Sequence, residues 1–385
     1  MKYRTLGNTG IQVSEIAMGS EGLEGQSYEV CRALIETCLE QGINFFDLYN
    51  PNPETRRNFG KAMAGRRQAY VLQGHLCTVW QNGQYLRTRD IDSVRQSFES
   101  LLNDLGTDYI DVGMIHYADK KEDFETILSG PVLAYAKDLK ARGVIKSIGL
   151  STHSAEVAFM AVESGAIEVI MFSLNPAYDM RPGADIIEDL YELKNYEDNA
   201  LSGMDEQRER LYQTCAAKGI AITVMKPYGG GMLLDAKKSP FEVALTPLQC
   251  LHYALTRPAV SAVMAGCFTP EQIREAARYE TCSDEEKDFS VTLSSAPRHS
   301  YSGRCMYCGH CAPCTVGIDI ALVNKYLDLA HSGSKDFIPE TVREHYALLE
   351  HPASECISCG VCETNCPFGV AIIEKMAEAA DVFGC

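Results

Sequence analysis

The chain has 385 residues, and 35 Lys and Arg against 52 Asp and Glu give a formal net charge of −17. This charge repels nucleic acid and anionic lipid, so we expect neither as a partner. The hydrophobic fraction of 46% is that of a folded soluble protein, and no run approaches the ~18 apolar residues of a membrane span.

Short apolar runs alternate with helical patterns between residues 11 and 280, an order typical of a parallel sheet connected by helices. Strands are predicted at residues 15–20, 44–49, 69–76, 110–117, 144–151, 168–175, 220–227 and 259–266. Helices are predicted after the strands and include residues 28–41, 92–105, 131–142, 206–218, 246–256 and 270–279. Eight such units predict an α/β fold, a closed (β/α)8 TIM barrel.

Two segments of this region interrupt the alternation. Residues 2–15 carry an Asn-Thr-Gly turn between two extended runs, which predicts a hairpin that caps one end of the barrel. Residues 176–203, after the sixth strand, form an insertion rich in Asp, Glu, Tyr and Asn. Because loops of this length are usually functional, we expect either a substrate lid or a docking site for a second domain.

The character of the sequence changes after Glu280, where polar residues lead into a segment dense in Cys, Gly and Pro. We therefore predict a barrel domain over residues 1–282 and a linker over residues 283–303. Residues 304–385 are predicted to form a small domain of helices and loops, with a helical spacer near residues 319–350.

The small domain carries two runs of four cysteines. The second run, from Cys356 to Pro367, reads C-x2-C-x2-C-x3-C-P and matches the spacing of bacterial ferredoxins in full. The first run, from Cys305 to Cys314, is one residue shorter before its last cysteine and has Thr315 in place of the proline. These runs predict a ferredoxin-like domain with two 4Fe-4S clusters.

In such domains the fourth cysteine of each run binds the other cluster, which predicts two crossed ligand sets. The sets are Cys305, Cys308, Cys311 and Cys366 for one cluster, and Cys356, Cys359, Cys362 and Cys314 for the other. Zinc is the competing metal, but a structural zinc ion commonly takes two C-x2-C pairs and fits these runs poorly.

The remaining cysteines are scattered through the chain and are interpreted as buried structural thiols. They are Cys31, Cys38, Cys77, Cys215, Cys250, Cys267, Cys282 and Cys385. The chain begins MKYRTLGNTG, without the features of a signal peptide, so we expect the cytoplasm, where thiols stay reduced and bind metals.

Six segments of the barrel carry motifs in register with its predicted units. They are TLGNTGIQVSEIAMG, GINFFDLY, SLLNDLGTDYIDVGMIHYAD, GVIKSIGLSTHS, ITVMKPYGGGMLL and TPEQIREA. Together these segments resemble the aldo/keto reductases, specifically the bacterial branch that carries a C-terminal ferredoxin domain. The resemblance covers nearly the whole chain and implies an oxidoreductase.

The resemblance implies an Asp, Tyr, Lys and His set at the carboxyl ends of strands two to four, where barrel active sites lie. Asp47 and His116 match two positions of this set. The loop after strand two is shorter than in the family, so Tyr49 is taken as the tyrosine and Asn52 is the nearest alternative. His75 stands at the lysine position, and a histidine can donate a proton at neutral pH. The competing interpretations are packed barrel histidines and a metal site of two histidines and one aspartate.

The resemblance also implies a nicotinamide nucleotide, although several of its usual contacts are changed. The residues that correspond to nucleotide contacts are Ser151, Asn175, Lys226, Gly229, Gly230, Gly231, Gly266 and Arg274. The glycines permit close backbone approach to a pyrophosphate, and the helix that follows Thr269 offers its amino end to an anion. Met171 replaces the usual glutamine, and the 2′-phosphate position lacks basic residues except for Lys226 and Arg274.

These features predict an iron-sulfur oxidoreductase of aldo/keto reductase type. In the first hypothesis the barrel reduces a small organic substrate, in the first instance a carbonyl compound, with NAD(P)H or electrons from a ferredoxin or flavodoxin-type partner. Clusters pass one electron and nicotinamide passes two, so a flavin is a further candidate cofactor. In the second hypothesis the barrel is an inactive scaffold, and the clusters deliver electrons to a partner enzyme. In a third, the clusters are purely structural.

Overall fold

The computed structural model describes residues 1–181, 183, 187–198, 201, 203–299, 301–331 and 338–384. Its centre is a closed barrel of parallel strands, in which the last strand pairs with the first. The strands are β1 (Ile16–Gly19), β2 (Phe45–Leu48), β3 (Val71–Leu76), β4 (Ile110–Ile115), β5 (Ile145–Thr152), β6 (Val169–Ser173), β7 (Ala221–Met225) and β8 (Val260–Ala265). All eight predicted strands are confirmed.

Helices surround the barrel and form about half of the described C-terminal segment. Within the described ranges they are α1 (Tyr28–Glu40), α2 (Pro53–Ala62), α3 (Ile91–Leu105), α4 (Lys121–Ser129), α5 (Pro131–Ala141), α6 (Ala155–Glu163), α7 (Glu206–Lys218), α8 (Pro247–Thr256), α9 (Pro270–Ala277), α10 (Asp284–Lys287), α11 (Ser290–Ser294), α12 (Ile320–His331), α13 (Glu340–Ala347), α14 (Val361–Asn365) and α15 (Ile372–Phe383). The six helices predicted by range are confirmed. Their ends follow local chemistry: Thr246 and Gln249 form a capping box at the start of α8, and Gly219 ends α7 with a φ of 66°.

The N-terminal hairpin closes the barrel at the amino ends of its strands. Tyr3–Thr5 pairs antiparallel with Gln12–Ser14, directly before β1 begins. Leu6 and Val13 are fully buried and pack with apolar side chains inside the barrel. The predicted cap is therefore confirmed, and the opposite end, at the carboxyl ends of the strands, remains available for a site.

The insertion after β6 is held by residues that lie between the barrel and the cysteine-rich C-terminal segment. Of residues 176–203, the structure describes all but 182, 184–186, 199–200 and 202. The ring nitrogens of His299 lie 2.8 and 2.5 Å from the carbonyl oxygens of Leu201 and Tyr196. The hydroxyl of Tyr301 donates to the carbonyl of Pro176 at 2.5 Å. These contacts favour the docking interpretation of the insertion.

The C-terminal segment also packs directly on the outside of the barrel. Arg304 forms an ion pair with Glu209 of α7 at 2.7 Å. The buried guanidinium of Arg257, just before β8, donates to the carbonyl of Met306 at 2.5 Å. The predicted helical spacer corresponds to α12 and α13, although residues 332–337 lie outside the described part. No helix among the described residues is long and apolar enough to cross a membrane.

Candidate functional site

A cavity of about 340 Å³ opens at the carboxyl ends of the barrel strands. Its lining consists of Gly19, Ser20, Glu21, Asp47, Tyr49, His75, Tyr85, His116, Tyr117, Ser151, His153, Met171, Met225, Lys226 and Met264. The four predicted catalytic residues, Asp47, Tyr49, His75 and His116, all lie in this lining. The structure therefore brings together side chains from β2 and β3 and from the loops after β2 and β4.

Four of the lining side chains form a continuous hydrogen-bonded chain. Nε2 of His75 lies 2.9 Å from Oδ1 of Asp47, and Nδ1 of His75 lies 2.7 Å from Nδ1 of His116. The hydroxyl of Tyr85 lies 2.5 Å from Nε2 of His116. One set of donors satisfies every contact with both rings neutral: Tyr85 donates to His116, His116 to His75, and His75 to the Asp47 carboxylate. The chain can therefore conduct a proton between the cavity and a buried carboxylate.

Tyr85 was not predicted, and it reaches the site from a second hairpin. Thr78–Gln81 pairs antiparallel with Gln84–Arg87 immediately after β3. The turn is Asn82-Gly83, with φ values of 54° and 74°, which is the conformation that Asn-Gly favours in hairpins. The signal was thus present in the sequence WQNGQY, which places a tyrosine just beyond the end of β3.

Burial keeps two members of this chain, His116 and Tyr85, in their neutral forms. Burial, with smaller contributions from His75 and Arg89, lowers the pKa of His116 well below its usual value. Burial raises the pKa of Tyr85 to about 12 and raises that of Tyr49 as well. Burial also raises the pKa of Glu21 in the same lining. Neutral rings and a protonated tyrosine are the states that the hydrogen-bond pattern requires.

Tyr49 has a different position from that of Tyr85. Its ring lies nearly parallel to that of His116, with centroids 6.2 Å apart and an interplanar angle of 9°. It also meets the rings of His75 and Tyr85 edge-on. Tyr49 therefore forms an aromatic wall of the cavity, whereas the hydrogen bond to His116 comes from Tyr85.

Gln73 completes the surroundings of the buried carboxylate. Its Nε2 donates to Oδ1 of Asp47 at 2.6 Å and lies 3.2 Å from Sδ of Met171. Gln73 was not predicted as a site residue, although it lies two residues before His75 in β3 and so faces the same side of the strand. Oδ1 of Asp47 thus accepts from two side chains, which fixes its orientation.

Of the predicted nucleotide contacts, only Ser151 and Lys226 line the cavity. The Ser151 hydroxyl is buried and has no hydrogen-bond partner among the described residues. The amide of Asn175 is engaged within the protein: its Nδ2 donates to the carbonyl of Lys226, and its Oδ1 accepts from the backbone N–H groups of Ala177 and Tyr178. Asn175 therefore supports the loop after β6 in this conformation.

The three glycines after β7 lie outside the cavity lining. Gly229, Gly230 and Gly231 have φ values of 59°, 65° and 88°, a left-handed run that glycine permits. The ring of Tyr191, from the insertion, lies so close to Gly230 that an added Cβ would be 2.7 Å from its Cε1. A left-handed glycine turn is thus present where pyrophosphate binding was predicted, and the ring of Tyr191 packs against its second glycine.

Neither of the last two predicted nucleotide contacts is a lining residue, although a Cβ added to Gly266 would lie 3.7 Å from Oε2 of Glu21, which lines the cavity. Gly266 follows β8 and is absent from the lining residues that the structure describes. Arg274 is exposed on α9, where its closest acidic partner is Glu271, at 3.4 Å. The structure does not bring these two residues together with Ser151 and Lys226.

Two small cavities in the C-terminal segment divide the eight cysteines of the two runs into groups of four. One is lined by Cys305, Cys308, Cys311 and Cys366, and the other by Cys314, Cys356, Cys359 and Cys362. This division is the same as that of the crossed ligand sets. In the described part of the chain, no three His, Cys, Asp or Glu side chains are arranged to hold a single metal ion.

The two cysteine loops repeat one backbone conformation. Tyr307 and Ser358, each just before the second cysteine of its run, have φ values of 52° and 54°. Gly309 and Gly360, each just after that cysteine, have φ values of 81° and 75°. Alternating left-handed residues turn successive backbone N–H groups toward one point, a geometry found at anion and iron-sulfur sites.

The other cysteines match their interpretation as structural thiols, apart from Cys385, which lies outside the described residues. Six are buried, and Cys282 is half-buried. Burial raises the pKa of the Cys77 thiol, which makes it a poor nucleophile.

The model of the aldo/keto reductase family matches residues 15–247, so the cysteine-rich segment lies outside the match. An uncharacterized oxidoreductase of Bacillus subtilis, YqkF, is 25% identical over 300 residues, which cover 74% of this chain and 94% of that protein. Pyridoxal 4-dehydrogenase of Microbacterium luteolum is 23% identical over 337 residues, covering 71% and 91%. The holo form of the aldo-keto reductase AKR11C1 of Bacillus halodurans has a similar fold, with a TM-score of 0.58 at 22% identity, covering 74% and 94%.

Proposed function

Because the chain belongs to the aldo/keto reductase family, a family of oxidoreductase enzymes, we propose that its barrel reduces the carbonyl group of a small organic substrate. The observation that carries this proposal is the chain of hydrogen bonds from Asp47 through His75 and His116 to Tyr85 at the cavity wall. Reduction of a carbonyl requires a proton at the oxygen, and a positioned side chain accelerates that transfer.

Each residue of this chain has a distinct part in the proposed reaction. Tyr85 donates its proton to the carbonyl oxygen of the substrate. Tyr85 then regains a proton from the imidazole pair. The pair takes up one proton from solvent, and His116 passes a proton from its Nε2 to the tyrosine oxygen. Asp47 stabilises the transient positive charge on His75, to which it is hydrogen-bonded at 2.9 Å. Oxidation of an alcohol uses the same path in reverse.

A nicotinamide nucleotide, when bound, supplies hydride to the carbonyl carbon. Ser151, whose hydroxyl is unpartnered among the described residues, and Lys226 fit its nicotinamide end. The turn at Gly229–Gly231 fits its pyrophosphate, on condition that the Tyr191 ring leaves Gly230. The cavity residues therefore fit the reactive end of the nucleotide better than its phosphate end.

The C-terminal domain, residues 304–385, is proposed to hold two 4Fe-4S clusters, one in each four-cysteine cavity. Two features of the second run fit thiolate ligands, because hydrogen bonds stabilise negative sulfur. The Ser358 N–H donates to Sγ of Cys356 at 3.4 Å, and the Thr315 hydroxyl lies 3.4 Å from Sγ of Cys359. Such clusters pass single electrons, and reduced thiols are expected in the cytoplasm.

A redox partner is proposed to dock beside the second cluster site. Cys359 is exposed there, and Ile357 is 60% exposed. An apolar side chain next to an exposed ligand provides a contact for a ferredoxin or flavodoxin-type protein. The net charge of −17 favours a partner with a basic face.

The second candidate function is an electron-transfer module with an inactive barrel. The occupied amide of Asn175 and the ring of Tyr191 against Gly230 favour it. The intact proton chain and the unpartnered Ser151 hydroxyl oppose it. In an inactive barrel, a buried chain of hydrogen bonds that ends at a cavity would have no catalytic use.

The proposal is tested with full-length protein purified without oxygen. Iron and sulfide are counted, a visible spectrum is recorded for clusters and flavin, and NADPH, NADH and reduced ferredoxin are added in turn with a panel of aldehydes and ketones. About eight irons per chain and consumption of a carbonyl with one of the three reductants are expected. Eight irons without turnover would favour the electron-transfer module, and protein without iron would contradict the cluster proposal.

A further inference from the structure

A second carboxylate–imidazole pair lies on another wall of the barrel cavity. Asp119 follows β4 and His153 follows β5, and both side chains are almost fully buried, at 5% and 3% exposure. Nδ1 of His153 lies 2.9 Å from Oδ2 of Asp119. The other carboxylate oxygen accepts from the backbone N–H of His153 at 2.7 Å and from the hydroxyl of Thr152 at 3.1 Å. The ring of His153 is thereby fixed in one orientation.

This arrangement determines what the free nitrogen of His153 can do. A carboxylate only accepts hydrogen bonds, so Nδ1 carries the proton, and Nε2 of the neutral ring is an acceptor. His153 lines the cavity, and its Nε2 has no hydrogen-bond partner among the described residues. Buried polar atoms of native proteins nearly always have a partner, so a bound ligand is the natural one here.

Two further polar atoms of the same lining are also without partners. The hydroxyls of Ser20 and Ser151 are buried and unpartnered among the residues that the structure describes. With Nε2 of His153, they are three unpartnered polar atoms on side chains that line one cavity. The nicotinamide end of the proposed nucleotide takes the Ser151 hydroxyl, and the carbonyl oxygen of a simple aldehyde or ketone only accepts hydrogen bonds, so it cannot satisfy Nε2 of His153.

We propose that His153, oriented by Asp119, is a specificity-determining residue whose Nε2 accepts a hydrogen bond from a hydroxyl group of the substrate. The preferred substrates are then hydroxylated carbonyl compounds. This inference rests on the proposed function and adds the class of substrate. The carboxyl groups of Glu21 and Asp47 in the lining, with Lys226 as the one ammonium group among the described lining residues, favour an uncharged substrate over an anionic one.

The position of the pair separates hydroxyl recognition from the proton chain. The Tyr117 ring lies between them, with its centroid 5.0 Å from that of His116 and 5.4 Å from that of His153. The substrate would therefore present its carbonyl on the His116 side of Tyr117 and its hydroxyl on the other. His153 contacts the substrate away from the reacting oxygen, so its loss is expected to affect selectivity more than proton transfer.

The first test observes the ring of His153 directly, without turnover. In full-length protein labelled with ¹⁵N on histidine, the His153 resonances are identified by their absence from the His153→Asn variant. Wild-type protein is expected to carry the proton on Nδ1, and its Nε2 resonance is expected to shift on addition of dihydroxyacetone but not of acetone. A proton on Nε2, an unchanged resonance with dihydroxyacetone, or a shift with pyruvate alone would overturn the assignment.

Asp119→Asn reverses the hydrogen-bonding character of His153 and provides a matched variant. The backbone N–H of His153 requires the amide oxygen of the new asparagine, so the NH2 group must face Nδ1. Nδ1 then becomes the acceptor, and the proton moves to Nε2, as happens when an aspartate that orients a catalytic histidine becomes asparagine. The ¹⁵N spectrum is expected to show this exchange, and the shift with dihydroxyacetone is expected to be lost.

The second test compares turnover of the same two ketones, which differ only in their hydroxyls. His153→Asn is expected to lower kcat/KM for dihydroxyacetone by about 10- to 100-fold and to leave that for acetone within about threefold, because a hydrogen-bonding site discriminates strongly between such analogues. Equal losses for both ketones would show a merely structural role and overturn the inference. If no carbonyl compound of the panel, these two ketones included, is reduced while the ¹⁵N shift is present, the proposed function fails and the hydroxyl site stands.

Discussion

The Nδ1 atoms of His75 and His116 lie 2.7 Å apart, so the two rings share one proton. One ring must donate a hydrogen bond and the other must accept it. Because a neutral His75 donates its Nε2 proton to the Asp47 carboxylate, its Nδ1 is the acceptor, and His116 is the donor. The resemblance to the family predicts that His75 stands where a lysine is usual, and the ammonium group of a lysine can only donate. A histidine there both accepts and donates, so the replacement extends the proton path instead of ending it.

The path predicts different effects for the two tyrosines of the cavity. Tyr85→Phe removes the hydroxyl that is hydrogen-bonded to His116, and it is expected to lower kcat by about 10²- to 10⁴-fold, the range of general acid catalysis. Tyr49→Phe keeps the ring beside His116 and is expected to change kcat less than tenfold. Steady-state kinetics with any carbonyl substrate found in the panel measure both.

KM, measured in the same experiments, provides the control. KM is expected to stay near that of the wild type in Tyr85→Phe, because the lost interaction acts on the transition state. If Tyr49→Phe has the larger effect on kcat, then Tyr49 is the acid, and the hairpin that carries Tyr85 has only a structural role.

The two four-cysteine cavities predict which pairs of cysteine variants lose the same iron-sulfur cluster. Cys305 and Cys366 line the same cavity. Each single variant, Cys305→Ser or Cys366→Ser, is expected to lose about four of eight irons, and the double variant is expected to lose no more. Cys305→Ser combined with Cys359→Ser affects both cavities and is expected to lose nearly all iron. Iron and sulfide counts on anaerobic protein measure the losses.

Cys282→Ser serves as the control, because this half-buried thiol lies in neither cavity. It is expected to keep the wild-type iron content. An additive loss in the Cys305 and Cys366 pair would mean that the pairing of the two runs is not crossed.

The barrel was predictable because its signals are local. Each strand is a short apolar run, and several helices start at a capping side chain, as α3 does at Asp90, or end at a glycine, as α7 does at Gly219. The ends of all eight strands were predicted within two residues. The function of the insertion was not predictable, because its contacts with His299 and Tyr301 join residues about a hundred positions apart.

The site was predicted only in part, because some of its residues are marked by their local position and others meet only in the folded chain. Asp47 and His116 stand at strand ends, where position alone suggests a role. Tyr85 reaches the cavity through a hairpin fold, and the partnership of Asp119 with His153 appears only when two loops meet. Asn175 shows the converse. Its position corresponds to a nucleotide contact of the family, but its side-chain amide is hydrogen-bonded to neighbouring backbone groups.

The partly buried imidazole of His252 predicts a loss of stability in acid. Burial, with Lys287 and Arg257, lowers the pKa of His252 to about 4, against about 6.5 in an unfolded chain. Between these values the unfolded chain binds more protons, so the free energy of unfolding falls as pH decreases from about 6.5 to about 4. At pH 5 the loss from this residue is about 2 kcal/mol.

Thermal unfolding of the full chain at pH 7.5 and pH 5 tests this. His252→Gln is expected to show a smaller drop in Tm between the two pH values than the wild type. His345→Gln, at an exposed histidine of α13, is the control and is expected to behave like the wild type. Equal drops in Tm for His252→Gln and wild type would place the acid sensitivity elsewhere.

The ring of Tyr191 against Gly230 predicts that the insertion limits nucleotide binding. Tyr191→Ala removes the ring from the turn that fits a pyrophosphate and is expected to lower the Kd for NADPH about tenfold, which corresponds to about 1.4 kcal/mol. Leu193→Ala, at a neighbouring exposed residue of the insertion, is the control and is expected to leave Kd unchanged. Titration of NADPH fluorescence under anaerobic conditions measures both variants. Weaker binding by Tyr191→Ala would show that the ring contacts the nucleotide, and no binding by either variant or the wild type would favour the electron-transfer module.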